Sequence, residues 1–430
     1  MAEQEKKSRI YLCIDLKSFY ASVECAERGL DPMTTKLVVA APTRSDKTIC
    51  LAVSPSLKKL GVKNRCRVFE IPKNIKYIIA PPRMMKYIEY SAAIYAIYLR
   101  YISPDDIQVY SIDESFLDIT DYLEKYKLTP KQMAVMLMGK ITDELGIRAT
   151  CGIGTNLYLT KIALDITAKH APDFIGYLDE EKYRETLWDH TPLTDFWRIG
   201  GGTERRLAEH GIFTMGDIAN SDEELIYKLF GIDGELLIDH AWGREPVTIK
   251  DIKAYRPKTN CLSSGQVLMR DYEFFEAQIV LKEMADSLCL DMTAKNVITR
   301  SVTIYVGYSN ALHEAGAKGT VSFETETNDS GIIVPAVAEL YEKVVSRDKP
   351  VRRLNITVNN IVEDDGFKAL TLFDAETSER EKKAKNLQQA VVDIKNKYGK
   401  NAVFKGMSLQ ESATQRERNT QIGGHRSGEQ

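Results

Sequence analysis

Residues 109–120, VYSIDESFLDIT, place two acids side by side, Asp113 and Glu114, between short apolar and β-branched runs that are typical of strands. Side chains alternate faces along a strand, so a half-buried strand would bury one of the two carboxylates without a partner. We therefore predict a hairpin with arms 109–112 and 115–119, in which both carboxylates lie at the tip. A solvated acidic turn would also explain the pair, so other parts of the chain have to decide between the two interpretations.

A third acid, Asp15, ends the first predicted strand, residues 10–16, and a segment with apolar residues at helical spacing follows it. If this strand and the hairpin are neighbours, three carboxylates come together, and each raises the pKa of the others unless a divalent cation neutralises them. A ligand set made only of oxygens favours Mg²⁺ or Mn²⁺ over zinc. Two such ions roughly 3.5–4 Å apart suit in-line displacement at phosphorus, so phosphoryl transfer is the predicted chemistry.

The composition is that of an ordinary globular protein, with 430 residues of which 43% are hydrophobic and 28% are charged. The seven cysteines are scattered without a C-x-x-C pair, which is typical of reduced core thiols in a cytosolic protein. No apolar run approaches the roughly 20 residues that span a bilayer, and the first residues lack the apolar core of a signal peptide. The expected location is therefore the cytoplasm, with no membrane association.

The net charge of −3 does not indicate a nucleic-acid-binding protein, but the two signs of charge are segregated along the chain. Residues 271–291 contain six acids and one lysine, whereas residues 250–258 and 351–358 are basic. We expect one face of this region to carry acids and another face to attract phosphate.

The order of predicted elements favours an α+β sheet with helices on one face, followed near residue 176 by an all-helical segment. Within that segment, the glycine-rich stretch 198–212 is predicted to form a hairpin between two short helices. Backbone N–H groups at such a helix start bind phosphate oxygens, although the glycines could equally make a tight structural turn. A β-rich unit at 258–362 follows, and then a charged helix and a polar tail.

Five motifs, in their order and spacing, resemble those of the Y-family translesion DNA polymerases. They are CIDLKSFYASVE, LGVK, SIDESFLDI, CGIGTNLYLTKIA and the glycine-rich helical hairpin. The resemblance covers roughly residues 9–425 and is greatest to the UmuC-like branch found in Gram-positive bacteria. It implies an α+β multidomain fold, a right-handed polymerase with a palm of antiparallel or mixed sheet plus helices, fingers, a helical thumb with a helix-hairpin-helix, and an α/β little finger. The implied domains are palm 8–18 and 85–175, fingers 19–84, thumb 176–243, linker 244–257, little finger 258–362, and a clamp-binding segment with a tail, 363–430.

The resemblance also implies a catalytic and metal-binding set. Asp15, Asp113 and Glu114 would hold two Mg²⁺ ions, for which Mn²⁺ is the alternative. The main-chain carbonyl of Leu16 would be a further ligand.

Nucleotide binding is implied for backbone N–H groups and for lysines. The implied residues are Lys17, Ser18, Phe19, Tyr20, Lys58, Lys161 and Lys169. Tyr20 takes the steric-gate position under the sugar, where its ring would exclude a 2′-hydroxyl; the alternative is a core aromatic beside Phe19. Pro55 and Lys58 replace the tyrosine and arginine of the better-known branch, so a point charge stands in for a guanidinium fork. Lys169 lies one position out of register, and a solvated helix end is its alternative.

The resemblance implies contacts to primer–template DNA from Gly200 and Gly202 in the thumb hairpin and from Arg352 and Arg353 in the little finger. Contacts of this kind go to backbone phosphates and are independent of base sequence.

The stretch ALTLF, residues 369–373, resembles a short bacterial motif for the sliding clamp (beta clamp). Leu370, Leu372 and Phe373 match its apolar anchors, whereas Ala369 replaces the usual glutamine. A short strand edge that packs locally is the alternative. The tail after residue 400 also resembles the branch, and no mechanism follows for it.

The implied function is template-directed DNA synthesis of low fidelity across damaged templates, in DNA repair and the SOS response. No stretch resembles a proofreading exonuclease. One alternative is a non-catalytic DNA- and clamp-binding accessory protein, which would not need three mutually repelling acids. Another is a palm-type nucleotidyl cyclase, which would need neither the glycine-rich hairpin nor the clamp motif. An activating partner, as in some UmuC-like proteins, is a further expectation.

Overall fold

The structure, a computed structural model, describes residues 9–41, 46–257, 260–365 and 375–428, with side chains described outside 375–381. The chain forms two compact units, Met1–Tyr255 with His425–Gln430, and Arg256–Gly424. Within the described ranges, no helix is both long and apolar enough to span a lipid bilayer.

The first unit mixes strands and helices up to residue 178 and is helical from residue 180 onward. Its strands are β1 (Tyr11–Leu16), β2 (Leu37–Val39), β3 (Ala52–Val53), β4 (Ile78–Ala80), β5 (Ile107–Val109), β6 (Glu114–Asp118), β7 (Ala149–Gly154) and β8 (Ile175–Leu178). Its α-helices are α1 (Phe19–Ala26), α2 (Pro55–Lys59), α3 (Met84–Leu99), α4 (Thr120–Tyr126), α5 (Pro130–Leu145), α6 (Leu157–Ile162), α7 (Glu180–Leu187), α8 (Gly201–Ala208), α9 (Met215–Asn220), α10 (Glu223–Phe230), α11 (Asp233–Ala241) and α12 (Ile249–Ala254). A π-helical turn lies at Ala163–Thr167, and 3₁₀ turns lie at Val68–Glu70, Pro104–Asp106, Ala168–His170 and Leu193–Asp195.

Helix α5 illustrates how local sequence fixes an element. The Thr129 hydroxyl accepts a hydrogen bond from the Gln132 N–H, and the Gln132 side chain accepts one from the Thr129 N–H. Pro130 occupies the first helical position, and Gly146 ends the helix with φ 69°. The predicted helix at 130–145 is confirmed.

A five-stranded sheet in the order β5-β6-β1-β7-β8 forms the centre of the first unit. Its pairs are antiparallel except β7 with β8. Strands β1 and β7 are buried along nearly their whole length, which requires cover on both faces. Helices α5 and α6 both pack against β7. The α+β character is as predicted, but the expectation of helices on one face is wrong.

The acidic hairpin has other arms than the sequence pattern predicted. Its arms are β5 and β6, and the turn comprises residues 110–113, with the Tyr110 and Ser111 N–H groups donating to the Glu114 carbonyl at 3.0 and 3.1 Å. Glu114 is therefore not at the tip but is the first residue of a strand, where it is buried. A strand can bury this carboxylate because a cation accompanies it, as described below.

The predicted boundary at residues 175 and 176 falls inside strand β8. This strand runs parallel to β7 and completes the sheet, so the all-helical segment begins at α7 rather than near residue 176. At Gly176, a Cβ would meet the backbone of Ala163 and Ala168, so glycine allows β8 to lie against the π-helical turn. A four-residue strand of this kind carries too little alternation to be recognised in sequence.

Residues 37–80 form a smaller sheet in the order β3-β2-β4, with a core of its own. The core contains Val38, Ala40, Cys50, Val53, Leu57, Val62, Cys66 and Ile71. Helix α2 begins with Pro55, whose fixed φ suits the first helical position, and it carries Lys58.

The second unit is a five-stranded antiparallel sheet, in the order β11-β10-β12-β9 with β13 also paired to β10, and helices pack on it. Its strands are β9 (Leu262–Tyr272), β10 (Val297–Tyr308), β11 (Ala317–Thr327), β12 (Val351–Asn359), β13 (Val362–Glu363) and β14 (Gln421–Ile422). Its α-helices are α13 (Phe274–Ala294), α14 (Ser330–Val344), α15 (Ala375–Tyr398) and α16 (Gln415–Arg418), and 3₁₀ turns lie at Asn310–Leu312 and Gly406–Leu409. Along β12, Leu354, Ile356 and Val358 face the core, whereas Asn355 is exposed.

The polar tail packs on the acidic helix α13. Glu283, which is fully buried, accepts hydrogen bonds from the Thr414 and Gln415 N–H groups at 2.9 and 3.1 Å. Asp286 pairs with Lys405 at 2.6 Å. The expectation that the acids of residues 271–291 make an open acidic face is therefore wrong for these two, because they hold the tail.

The chain ends back in the first unit, where β15 (His425–Arg426) is followed by a contact with α3. The Met85 N–H, in the first turn of α3, donates to the Ser427 carbonyl at 2.8 Å. Gly428 has φ 87° and lies against Arg83. Thus residues after 424 provide a partner for the start of α3.

Candidate active site

Strands β1 and β6 bring the three predicted acids together. Asp15 and Glu114 are directly opposed in the antiparallel ladder, so their side chains project from the same face. The Leu16 N–H donates to the Asp113 carbonyl at 3.0 Å, which ties the hairpin turn to the end of β1. Asp15, which is remote in sequence from the acidic pair Asp113 and Glu114, is therefore their neighbour in the fold.

The proximity of the three acids is visible in the pKa of Asp15. Burial, together with the charges of Asp113 and Glu114, raises this pKa to about 7, against the opposing effect of Lys161 and Lys169. A partly neutral aspartate beside two other carboxylates is the electrostatic setting in which a divalent cation is favoured. The donor set therefore fits a hard metal ion such as Mg²⁺.

The Glu114 carboxylate has two side-chain partners in this structure. Its Oε2 atom accepts a hydrogen bond from Lys161 Nζ at 2.8 Å, and its Oε1 atom accepts one from Cys13 Sγ at 3.1 Å. The side chains of Lys161 and Glu114 are 9% and 8% exposed. Among the described residues, no group of three acidic, histidine or cysteine side chains is arranged closely enough to form a metal site by itself.

Lys161, the partner of Glu114, is held between two acids. It also pairs with Asp165 at 3.1 Å, and although burial lowers its pKa, the charges of Glu114 and Asp165 raise the pKa above the ordinary value. Lys161 is therefore the counter-charge of Glu114 in this structure. The spacing of Lys161 and Asp165, four residues apart, is the signal that sequence analysis missed.

Close packing of α6 on β7 places Lys161 over Glu114. A Cβ at Gly152 would meet the backbone of Thr160 and Leu164, and a Cβ at Gly154 would meet the backbone of Thr160. Asn156 caps the helix, because its side chain accepts a hydrogen bond from the Leu159 N–H at 2.8 Å. The CGIGTN motif is thus a packing device for the strand–helix junction.

Lys169 follows a π-helical turn and does not lie in a continuous α-helix with α6. The predicted helix at 156–170 divides into α6, the π turn Ala163–Thr167 and the 3₁₀ turn Ala168–His170. A π turn accommodates one residue more than an α turn. Lys169 is close enough to lower the pKa of Asp15.

Three lysines form a basic cluster beside the acids. Burial lowers the pKa of Lys17, and the neighbouring charges of Lys58 and Lys169 lower it further, against the effect of Asp15. Burial also lowers the pKa of Lys58, and Lys169 adds to this effect. The Lys17 ammonium lies 3.8 Å from the centre of the Phe174 ring. Mutual repulsion within the cluster would be relieved by a polyphosphate.

The backbone at residues 17–20 is only partly as expected. The Lys17 N–H donates to the Arg148 carbonyl at 2.9 Å, so it is already used in the sheet. Ser18 caps α1 in the left-handed conformation, with φ 49°. Phe19 and Tyr20 lie in the first helical turn, where N–H groups have no partner within the helix.

Tyr20 and its neighbour Phe19 have different environments. Phe19 is a buried core residue, whereas Tyr20 is only half-buried. Burial raises the pKa of Tyr20, and the charge of Asp113 adds to the shift. Tyr20 therefore stands beside the acids, and Phe19 is the core aromatic of the pair.

The glycine-rich hairpin precedes helix α8. Gly200 caps this helix, while Gly201 and Gly202 occupy its first turn, and the element before them is a 3₁₀ turn, Leu193–Asp195, rather than an α-helix. A Cβ at Gly200, Gly201 or Gly202 would meet nothing within 4 Å. Neither packing nor backbone conformation requires glycine here, so the glycines leave the N–H groups open to a close ligand.

Arg352 and Arg353 lie at a β-bulge in β12. The register shifts between the pairs Gly307–Arg353 and Tyr308–Val351. Val351 and Leu354 are both buried although they are three residues apart, so the bulge allows the two arginines between them to avoid the core. Arg352 lies 3.6 Å from Asp271. The clamp anchors Leu370, Leu372 and Phe373 lie outside the described residues.

The sequence and fold have close counterparts among known proteins. The profile of the impB/mucB/samB family matches residues 14–165, and that of the family's C-terminal domain matches residues 261–372. The chain is 34% identical to the putative UV-damage repair protein UvrX of Bacillus subtilis strain 168, over 97% of each chain. It is 31% identical to DNA polymerase IV 2 of the same strain, over 97% of this chain and 99% of the relative.

A solved Y-family DNA polymerase chimera has the same fold, with a TM-score of 0.65 at 20% identity, over 83% of this chain and 100% of the chimera. The two relatives match nearly the whole chain, and the two family models match residues 14–165 and 261–372 within it. The chain therefore belongs to the impB/mucB/samB family, the Y family of translesion DNA polymerases.

Proposed function

We propose that this Y-family polymerase extends a DNA primer by nucleotidyl transfer that uses two divalent metal ions, with Mg²⁺ as the physiological ion and Mn²⁺ as the alternative. The observation that carries the proposal is the opposition of Asp15 and Glu114 in the β1–β6 ladder, with Asp113 tied to the end of β1. Asp15, Asp113, Glu114 and the Leu16 carbonyl would hold the ions. When bound, the ions would activate the primer hydroxyl and stabilise the leaving pyrophosphate.

The chain's own residues provide binding and orientation. Lys17, Lys58 and Lys169 attract the triphosphate, because each is a cation whose neighbours are also cations. Lys161 pairs with Glu114 and would share that carboxylate with the ions. The ring of Tyr20 lies under the sugar and excludes a 2′-hydroxyl.

We assign the five-stranded sheet with its helices as the palm, residues 19–84 as the fingers, the helical part as the thumb, and residues 258–362 as the little finger. The N–H groups at Gly200 and Gly202 and the side chains of Arg352 and Arg353 would contact DNA phosphates, a type of binding that weakens with salt. The ALTLF motif would attach the enzyme to the sliding clamp. Synthesis would proceed without proofreading. An activating partner protein would stimulate it, as in some UmuC-like proteins.

Primer extension on undamaged and abasic templates, with Mg²⁺ or Mn²⁺ and with or without clamp, tests these assignments. The expected result is extension on both templates and no removal of a mismatched 3′ nucleotide. DNA binding without extension under all conditions would instead support the accessory-protein alternative. Turnover of nucleoside triphosphate in the absence of DNA would support a cyclase.

A further inference from the structure

Tyr20 rests on a second aromatic ring. The ring centres of Tyr20 in α1 and Tyr87 in α3 are 4.5 Å apart, and the two rings are nearly parallel, with an interplanar angle of 18°. Tyr87 is fully buried, whereas Tyr20 is half-buried. In the described chain, the ring contacts of Tyr20 are with Phe19 and Tyr87. Tyr87 is therefore the surface against which the proposed gate is held.

The Tyr87 ring is itself fixed by a buried carboxylate. Its hydroxyl donates to Glu24 Oε1 at 2.9 Å, and Glu24 is fully buried. Arg83 donates to both oxygens of Glu24, from Nε at 2.9 Å and from Nη2 at 3.0 Å. Arg28 provides a further contact to Glu24. Burial alone would raise the pKa of Glu24, but the hydrogen bonds from Arg83, Arg28 and Tyr87 lower the pKa below its ordinary value.

Packing alone does not require this polar network. A phenylalanine at position 87 would supply the same ring without a hydroxyl, and a buried ion pair is seldom more stabilising than an apolar core of similar volume. The network fixes the position of the Tyr87 ring. The Tyr87 hydroxyl donates to the Glu24 carboxylate, and two arginines hold that carboxylate in place. A steric gate needs such a support, since a ring that can tilt away does not exclude a 2′-hydroxyl.

We propose that Tyr87, Glu24 and Arg83 are positioning residues for sugar selection, which hold the Tyr20 ring in a fixed position under the sugar of the bound nucleotide. This inference rests on the proposed steric-gate role of Tyr20. It assigns discrimination between ribose and deoxyribose to a chain of contacts that runs from Arg83 through Glu24 and Tyr87 to the gate. A role in folding alone would affect both kinds of nucleotide equally.

The same helix pair offers a matched control. Tyr90 donates to Glu27 Oε1 at 2.9 Å, about one helical turn beyond Tyr87 and Glu24 in both helices. This second tyrosine–glutamate pair is exposed, and Tyr90 does not touch Tyr20 within the described residues. Glu27 also accepts a hydrogen bond from Arg83 at 3.4 Å. Tyr90→Phe removes the same kind of tyrosine–glutamate hydrogen bond and leaves both the Arg83–Glu27 contact and the Tyr87–Glu24 contact in place.

The test compares kcat/KM for ribonucleotide and deoxynucleotide insertion in Tyr87→Phe, Glu24→Gln, Tyr90→Phe and Tyr20→Ala. Tyr87→Phe and Glu24→Gln should raise the ribo-to-deoxy ratio several-fold, by less than Tyr20→Ala, while Tyr90→Phe keeps the wild-type ratio. In the double variant Tyr20→Ala/Tyr87→Phe, the ratio should equal that of Tyr20→Ala, because the support has no gate left to position.

The outcomes separate this inference from the proposed function. If Tyr20→Ala raises the ratio but Tyr87→Phe does not, the positioning role is overturned and the gate stands. If Tyr87→Phe and Tyr90→Phe raise the ratio equally, the role is also overturned. If Tyr20→Ala itself leaves the ratio unchanged, both the gate and its support are overturned. Tyr87→Phe keeps the core filled, so the test remains decisive even if Glu24→Gln does not fold.

Discussion

Asp15 and Glu114 face each other across the β1–β6 ladder, 99 positions apart in sequence and directly paired in the sheet. The pairing fixes which face carries the acids, because a slip of one residue would turn Glu114 to the opposite face. The geometry of the acids is therefore set by strand register rather than by flexible loops.

Removal of the two hairpin acids should separate catalysis from DNA binding. Asp113→Ala with Glu114→Ala is expected to abolish primer extension and to leave primer–template affinity nearly unchanged, because the DNA contacts lie elsewhere. Asp105→Ala, which alters an exposed acid before β5, is the control and should keep full activity. Extension by the double variant at saturating Mg²⁺ would falsify the catalytic assignment.

Asp15 should destabilise the metal-free protein at high pH. Its pKa in the folded state is raised from 3.8 to about 7, so its protonated form is favoured by folding. The stability that Asp15 contributes is present below the unfolded pKa and is lost as the pH rises through about 7. The shift corresponds to on the order of 4 kcal/mol. Asp15→Asn should therefore raise the Tm, measured in EDTA, much more at pH 8 than at pH 5, and an equal gain at both pH values would contradict the shift.

Lys161 should matter for stability. Lys161→Met leaves Glu114 buried without its cation, and breaking a buried ion pair costs about 3–5 kcal/mol. Chemical denaturation at neutral pH measures the loss. Lys131→Met, which breaks the exposed pair with Asp173, is the control and should cost roughly 0–1 kcal/mol. A Lys161 variant as stable as this control would show that the buried pair is not required.

Lys169 should matter for nucleotide binding instead. Its side chain is 59% exposed and belongs to the cluster with Lys17 and Lys58. Lys169→Ala is expected to raise the KM for deoxynucleoside triphosphate roughly tenfold, the loss of about 1.4 kcal/mol of binding, with little change in stability. Steady-state kinetics of single-nucleotide insertion provides the measurement. An unchanged KM would favour the interpretation of Lys169 as a solvated helix end.

The clamp motif makes a prediction independent of the palm. Leu372→Ala with Phe373→Ala should weaken clamp binding by several kcal/mol, because apolar anchors carry most of the energy when a peptide enters a groove. Ala369→Gln should tighten binding by restoring the usual polar contact. Calorimetry with the clamp measures both changes, and basal extension without clamp serves as the control. If the double variant binds like the wild type, the clamp contact lies outside ALTLF.

The sequence was sufficient to identify the acids and most of the elements. Alternation and the problem of burying two adjacent carboxylates predicted the hairpin, and helical spacing predicted α1. The sequence was not sufficient to predict the pair of Lys161 with Glu114. This pair depends on how closely α6 approaches β7 at Gly152 and Gly154. Contacts of this kind are tertiary and have no local signature.

Two other errors have the same origin. The Lys17 N–H was assigned to a ligand because it precedes a helix, yet the neighbouring strand supplies the Arg148 carbonyl as its partner. The acids of α13 were assigned to an open face because charge is usually solvated, yet Glu283 is covered by the tail. In both cases a segment distant in sequence provides the hydrogen-bond partner of a group for which the local sequence pattern shows no partner.

The packing of the tail has a practical consequence for anyone who trims the protein for expression. A boundary drawn after β13, at residue 363, looks reasonable because the last strand of the sheet is complete there. Such a truncation would strip the Thr414 and Gln415 N–H groups from the buried Glu283 carboxylate and the Ser427 carbonyl from the start of α3. Both compact units would lose an internal hydrogen bond with one cut, so the shortest stable version of the enzyme should extend at least to residue 428.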